Sequence, residues 1–156
     1  MQGFGLLALR LVLGLTFVLR GLPKLVPVWG ASPRETAALF ETAGVTSAYP
    51  VVVGTGLVEL LAGVLLLAGA YTFWTSILLV ATTCAVGWKL HLPHGFFINW
   101  TMTPGVGHGY EQTFLLVGAL VCLMFAGPGL FSVDRRRART AAARKKSRAV
   151  GRPGKK

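Results

Sequence analysis

The sequence predicts an all-α integral membrane protein: a four-helix transmembrane bundle followed by a basic segment. Hydrophobic residues make up 53% of the 156 residues and charged residues only 13%, about half of what ordinary soluble domains carry. The mean hydropathy of +0.62 is correspondingly high. Four apolar runs are long enough to cross a bilayer core about 30 Å thick, which takes roughly 20 helical residues.

The transmembrane domain is predicted at residues 1–134, with helices at residues 3–22, 50–70, 71–90 and 110–127. The first run lacks a basic leading segment and contains Arg10, so we expect a retained helix rather than a signal peptide. The second and third helices are separated by almost no linker, so they are predicted to form a tight antiparallel hairpin.

The two longer links are predicted to lie outside the cell. In the first, Ser32 is followed by a proline and then by Glu35, a pattern typical of a capped helix start. A short external helix is therefore expected through about Glu41, closed by Gly44. The second link, residues 91–109, holds all three histidines and two prolines, so it is predicted to be an ordered loop.

The formal charge of +11 is confined to one segment. Residues 135–156 carry eleven of the sixteen basic residues and no acid, whereas residues 1–134 carry five of each sign. The positive-inside rule places this segment in the cytoplasm, and an even number of helices places the N-terminus there too. We therefore expect a multi-pass protein of the cell (inner) membrane with both termini cytoplasmic.

The basic segment is expected to be disordered and to contact anionic lipid headgroups. Nucleic-acid binding is not predicted, because no aromatic side chain is interleaved to stack on bases. The residues expected at the membrane surface include Arg135, Arg136, Arg137, Lys145 and Lys146.

Small residues recur at helical spacing on one face of each apolar run. In lipid, such residues let helices approach closely. The glycines predicted to lie at helix contacts are Gly14, Gly21, Gly56, Gly63 and Gly118.

Ionisable residues lie on the same faces and must then point into the bundle. A charge at the centre of a transmembrane helix costs about 2.5–3.5 kcal/mol, so Glu59 in the second helix requires a partner, a proton or a function. The sequence predicts one inward polar cluster, which serves either as a structural ion pair or as a ligand site. Its expected members are Arg10, Arg20, Lys24, Glu59, His91 and Glu111.

The sequence indicates neither a metal site nor a covalent cofactor. Pro93 breaks the helix that would bring His91 and His94 onto one face. Cys84 and Cys122 form no C-x-x-C pair and no C-x-x-C-H haem site, so neither thiol–disulfide chemistry nor haem attachment is predicted.

Five segments, in order, resemble the signature segments of the DoxX family of small bacterial membrane proteins. They are LRLVLGLTFVLRGLPKL (9–25), GTGLVELLAGVLLLAGAYT (54–72), HLPHGFFINW (91–100), HGYE (108–111) and GPGLFSVD (127–134). The resemblance covers residues 5–134 and implies a four-helix bundle. The polar and turn positions that it carries over are Arg10, Gly21, Lys24, Glu59, Gly63, His91, Glu111, Pro128, Gly129 and Asp134.

The resemblance also implies a class of function. Relatives are associated with quinone-linked redox chemistry, including the membrane subunit of a thiosulfate:quinone oxidoreductase, and with complexes that handle thiols and oxidative stress. We therefore expect a membrane subunit that binds quinone or lipid near the polar cluster. No group in the chain carries electrons, so a protein partner with a redox centre is expected, and the chain is at most a subunit of a quinone-dependent oxidoreductase.

Two other functions stay open on the sequence. A non-catalytic scaffold or assembly factor would recruit soluble partners through the loops and the basic segment. A small transporter or proton pathway would use the same buried charges, with oligomerisation supplying further helices.

Overall fold

The computed structural model describes residues 2–150, which form six α-helices and no strand beyond an isolated bridge between Val28 and Ala31. Short helical turns follow α1 at Leu22–Lys24 and α4 at Gly87–His91 and Leu92–His94. The helices are α1 (Gln2–Gly21), α2 (Pro33–Thr42), α3 (Ala48–Ala68), α4 (Thr72–Val86), α5 (Glu111–Ala126) and α6 (Val133–Val150).

Four apolar helices pack in a ring in which α1 contacts α3, α3 contacts α4, α4 contacts α5 and α5 contacts α1. Three segments have the length and composition of membrane spans: Gln2–Lys24, Ala48–Ala68 and Thr72–His94. The fourth apolar helix, α5, is shorter at 16 residues. We call the end that carries the start of α1 and α6 the tail end, and the end that carries α2 and residues 95–110 the loop end.

Glycines let α1 and α3 touch at two levels. A Cβ atom added to Gly14 would lie 3.0 Å from the carbonyl oxygen of Gly63, and one added to Gly21 would lie 2.8 Å from that of Gly56. The second distance is shorter than real Cβ atoms show and the first is tighter than most Cβ contacts, so glycine is strongly favoured at both positions. Gly118 corrects the prediction, because an added Cβ there would meet no heavy atom of residues 2–150 within 4 Å.

The buried apolar side chains form two clusters, one towards each end. The cluster nearer the tail end includes Phe17, Leu66 and Leu79. The cluster nearer the loop end includes Phe40 and Val52. Because Phe40 belongs to α2, helix α2 packs back onto α3 rather than lying free at the membrane surface.

Helix α2 starts as its sequence predicts. The Ser32 hydroxyl accepts a hydrogen bond from the Glu35 backbone N–H at 3.3 Å and donates one to the Glu35 carboxylate at 3.0 Å. The helix ends at Thr42, and Gly44 follows with a φ of +78° that favours glycine. Helix α2 is therefore a folded element that covers the loop-end cluster.

The basic segment differs from the prediction of disorder. Residues Val133–Val150 form α6, which begins with an acidic residue in its first turn and continues through good helix formers such as Ala and Arg. Arg135, Arg136, Arg137 and Lys145 are all exposed on it. The side chain of Lys146 and residues 151–156 lie outside the described part of the chain.

Candidate functional site

The charged groups in the middle of the bundle form one ion pair. Lys24 Nζ donates to Glu59 Oε2 at 2.6 Å, and the Glu59 residue is 0% exposed. Glu59 is the twelfth residue of α3, roughly 16 Å along the helix from its loop-end start. On α3 it lies between Val52 of one apolar cluster and Ala62 of the other.

Two local features bring the lysine to this depth. Pro23 lies in the 3₁₀ turn Leu22–Lys24, which follows the end of α1 and packs against α3. Gly56 then leaves room for the lysine stem, since a Cβ atom added there would lie 2.7 Å from Lys24 Cβ. Gly56 therefore serves both helix packing and the placement of the ammonium group.

The Glu59 carboxylate has spare hydrogen-bonding capacity. Its Oε1 atom is buried and accepts no hydrogen bond from any of residues 2–150. A carboxylate can accept about four hydrogen bonds, and leaving a buried polar atom without a partner costs about 1–3 kcal/mol. An ion pair that served only helix docking would be expected to use this oxygen.

A cleft opens at the loop end between α2 and the turns that follow α4. Its volume is about 580 Å³, within the 300–1,000 Å³ range of small-molecule pockets. Apolar residues such as Leu39 and Leu90 line one part of it. The polar lining consists of Lys89, His91, His94 and His108 together with Thr42.

One cleft histidine has a defined tautomer. His91 Nδ1 lies 3.1 Å from the carbonyl oxygen of His108. Because a carbonyl oxygen can only accept, Nδ1 must carry the proton, which leaves Nε2 of the neutral ring as the proton acceptor. Arg20 lies within electrostatic range of both His91 and Lys24.

Glu111 does not join Glu59 and corrects the predicted cluster. Its carboxylate accepts from the Ile98 backbone N–H at 3.2 Å, and its own N–H donates to Phe96 O at 2.8 Å. Gly109 and Tyr110 likewise pair with the backbone of residues 95–97. Glu111 therefore holds the loop that frames the cleft, at the start of α5.

Arg10 is also separate from Glu59, at the tail end. It is 1% exposed, and its guanidinium donates to the carbonyl oxygens of Pro128 at 2.5 Å and Phe131 at 3.2 Å. It satisfies backbone groups where the chain leaves α5, while its buried Nε has no hydrogen-bond partner among residues 2–150. The predicted single polar cluster is therefore divided: Lys24 and Glu59 pair in the bundle interior, Glu111 lies at the loop end and Arg10 at the tail end.

Asp134 completes the tail-end junction. Its carboxylate accepts from the backbone N–H groups of Tyr71 at 2.8 Å and Thr72 at 2.9 Å, and from the Thr72 hydroxyl at 3.0 Å. Desolvation by itself raises the pKa of Asp134, but these hydrogen bonds and nearby Arg137 outweigh it and hold the pKa below its usual 3.8. Asp134 therefore ties α6 to the start of α4.

Sequence reasoning missed two parts of the site. The α2 wall of the cleft was not predicted, because nothing in the sequence of α2 says that it folds back against residues 89–94. The buried hydroxyls of Ser76 and Thr83 were also missed; neither has a partner among residues 2–150. Their signal was present, since Thr72, Ser76 and Thr83 recur on one face of α4.

The apolar composition, the long apolar helices and the buried charge pair define a helical membrane protein. The sequence model of the DoxX family matches residues 5–92, more than half of the chain, and the protein belongs to the DoxX family. The match covers α1 to α4, and with them Arg10, Lys24, Glu59 and His91. Neither curated proteins nor solved structures give a significant match.

Proposed function

We propose that this protein is the membrane subunit of a quinone-linked redox or oxidative-stress assembly and that it binds a quinone in the loop-end cleft. The observation that carries the proposal is the Glu59 carboxylate, which does not line the cleft but lies deeper in the bundle, fully buried beside Lys24 with one oxygen unpartnered among residues 2–150. Such an oxygen is suited to accept a proton or a hydrogen bond from a ligand.

The topology is part of the proposal. Helices α1, α3, α4 and α5 each cross the bilayer of the cell membrane, with α5 spanning about 24 Å at 1.5 Å per residue. The concentration of Lys and Arg in α6 and beyond supports a cytoplasmic tail end. The cleft then faces the outer membrane interface, where an amphipathic headgroup meets both water and lipid.

The residues of the cleft fit a quinone headgroup. Leu39 and Leu90 provide apolar contact, Lys89 can donate to a carbonyl oxygen, and His91 Nε2 can accept from a hydroxyl group. When bound, a quinone supplies two-electron, two-proton redox chemistry that no side chain of this protein provides. A partner subunit with a redox centre must deliver or remove the electrons.

The chain itself handles the protons in this proposal. His91 Nε2 takes the proton of a hydroxyl group in the cleft, because its Nδ1 is already engaged with His108 O. Glu59 Oε1 holds a second proton in the interior, and the ammonium of Lys24 compensates the carboxylate when that proton is absent.

The test is to purify the protein in mild detergent and to measure copurifying quinone and proteins by mass spectrometry. The variants are Glu59→Gln and, as a matched control, Glu35→Gln, which removes an exposed carboxylate from α2. Wild type and Glu35→Gln should retain quinone and a redox partner, and Glu59→Gln should lose at least nine-tenths of the quinone, which corresponds to about 1.4 kcal/mol.

The opposite result favours a scaffold. If partners copurify without quinone on any form, the Lys24–Glu59 pair is structural. The protein would then act as a non-catalytic assembly factor, for which the exposed loop-end residues Phe97, Trp100 and Met102 and the basic α6 offer surfaces.

A further inference from the structure

A narrow apolar groove lies between α3 and α4 on the outside of the bundle, next to the tail end. Its volume is about 480 Å³. Two of its side chains are widely exposed, Leu61 at 62% and Trp74 at 68%. Its walls include Leu57, Leu61 and Leu65 of α3, and Trp74 and Leu78 of α4. The α3 wall covers about 12 Å of helix length, from residue 57 to residue 65.

The guanidinium group of Arg137 lies at one end of the groove. Tyr71 lines the groove where the α3–α4 turn closes it, and the Arg137 guanidinium lies 4.9 Å from the centre of the Tyr71 ring. Arg137 follows Asp134 by one turn of α6, and Asp134 is hydrogen-bonded to Tyr71 and Thr72. The arginine is therefore anchored to the groove rather than carried on a loose segment.

The charge at this end of the groove is positive. Three successive arginines, Arg135, Arg136 and Arg137, are exposed at the start of α6. The nearby acid is Asp134, and its two oxygens already accept three hydrogen bonds from Tyr71 and Thr72. An anion at the groove end would therefore meet available guanidinium donors.

We propose that this groove is a binding site for an anionic phospholipid. One acyl chain lies between Leu61 and Trp74, and the phosphate accepts hydrogen bonds from Arg137. Exposed Tyr71 and Trp74 have the amphipathic character of residues at headgroup depth, which sets the level of the phosphate. Arginine suits this role because its planar fork matches phosphate geometry.

Charge also disfavours the other occupants. A second copy of the chain would bring two basic α6 helices together and would be repelled. A neutral isoprenoid tail could enter the groove, but it would gain nothing from Arg137. The site is independent of the loop-end cleft and of the quinone proposal.

The experiment uses the tryptophan in the groove as a probe. The variant Trp29→Phe/Trp88→Phe/Trp100→Phe leaves Trp74 as its single tryptophan and is reconstituted in phosphatidylcholine vesicles. A small fraction of brominated phosphatidylglycerol or brominated phosphatidylcholine is then added, and quenching of Trp74 fluorescence is measured. We expect the anionic lipid to associate about five-fold more strongly, as the attraction of one basic residue predicts.

Two further substitutions in this background show whether the preference depends on the groove. Arg137→Gln should bring the two lipids to equal quenching. Arg144→Gln removes the same charge two turns further along α6 and should retain the preference. The proposal is overturned by equal quenching in the parent protein, by an Arg144→Gln effect as large as that of Arg137→Gln, or by quenching from neither lipid.

Discussion

The two ends of the bundle use buried charge in opposite ways. At the tail end, Arg10 and Asp134 make five hydrogen bonds, four with backbone groups of the turns they join and one with the Thr72 hydroxyl. In the bundle interior, Lys24 and Glu59 bind each other and leave one carboxylate oxygen without a partner among residues 2–150, and at the loop end three histidines line an open cleft. Both ends contain a cation and an acid, but among residues 2–150 the buried carboxylate oxygen without a partner is that of Glu59, whereas at the tail end the unpartnered buried atom is Arg10 Nε.

A buried charge in a membrane helix is therefore not by itself a sign of a binding site. Arg10 is as deeply buried as Glu59, yet it closes a junction between chain segments. The useful observation is which atoms already have partners.

The largest expected effect comes from breaking the ion pair. Lys24→Met leaves the Glu59 carboxylate without its cation in the bundle interior, which should lower the free energy of unfolding by about 3–5 kcal/mol. The measurement is an unfolding titration with sodium dodecyl sulfate in mixed micelles.

The double variant Lys24→Met/Glu59→Leu sharpens the comparison. It removes both charges and should recover most of the stability while binding no quinone. A stable double variant that still binds quinone would show that the pair has no role in the ligand site.

The next effect concerns the close contact between α1 and α3 at Gly21. Gly21→Val would place a side chain against the Leu60 backbone nitrogen, 2.7 Å from the new Cβ atom. Because backbone cannot move aside cheaply, we expect a loss of about 3 kcal/mol, the upper part of the range for overpacking.

Gly118→Ala is the matched control in α5. Its added Cβ meets no atom of the described chain within 4 Å, and alanine is the better helix former by about 0.8–1 kcal/mol. It should therefore be neutral or stabilising in the same titration. A loss comparable to that of Gly21→Val would mean that Gly118 contacts something outside residues 2–150.

A smaller effect is expected at the tail end. Asp134→Asn weakens the hydrogen bonds to Tyr71 and Thr72 and should cost about 1–2 kcal/mol. It should leave quinone binding unchanged, because the junction is far from the cleft.

The same carboxylate gives a pH dependence with a defined sign. The folded-state pKa of Asp134 is depressed below 3.8, so its contribution to stability is present above pH 3.8 and is lost as the pH falls through the folded value. Wild-type protein should lose stability in this range more steeply than Asp134→Asn when unfolding is followed at several pH values. Parallel pH profiles of the wild type and Asp134→Asn would show that Asp134 does not contribute to this pH dependence.

Helices α1, α3, α4 and α5 could be predicted from the sequence because each is an apolar run whose ends are set by glycine, proline or a polar residue. The observed bounds differ from the predicted ones by a few residues, the largest difference being at α4, where Gly87–His91 continues the span in a π-helical turn. The glycine contacts of α1 and α3 followed from spacing, since Gly14 and Gly21 are seven residues apart, as are Gly56 and Gly63.

The site was predicted less well. Helical spacing shows that Arg10, Glu59 and Glu111 face inward, but it does not say at which depth their partners lie. The hydrogen-bond partners of Arg10 and Glu111 are backbone groups, and a pattern of side chains does not predict such partners. The helix of the basic segment was missed because charge density was weighed above the helix propensity of its Ala and Arg residues.

The most direct test of the contrast between the two ends is photoaffinity labelling of the reconstituted protein with an azido-quinone, followed by peptide mapping. We expect label on residues 39–43, 89–94 and 107–108 of the wild type. This label should be lost in the stable Lys24→Met/Glu59→Leu variant and retained in Asp134→Asn. Label at the tail end, or evenly along the lipid-facing helices, would contradict the assignment of the ligand site to the loop end.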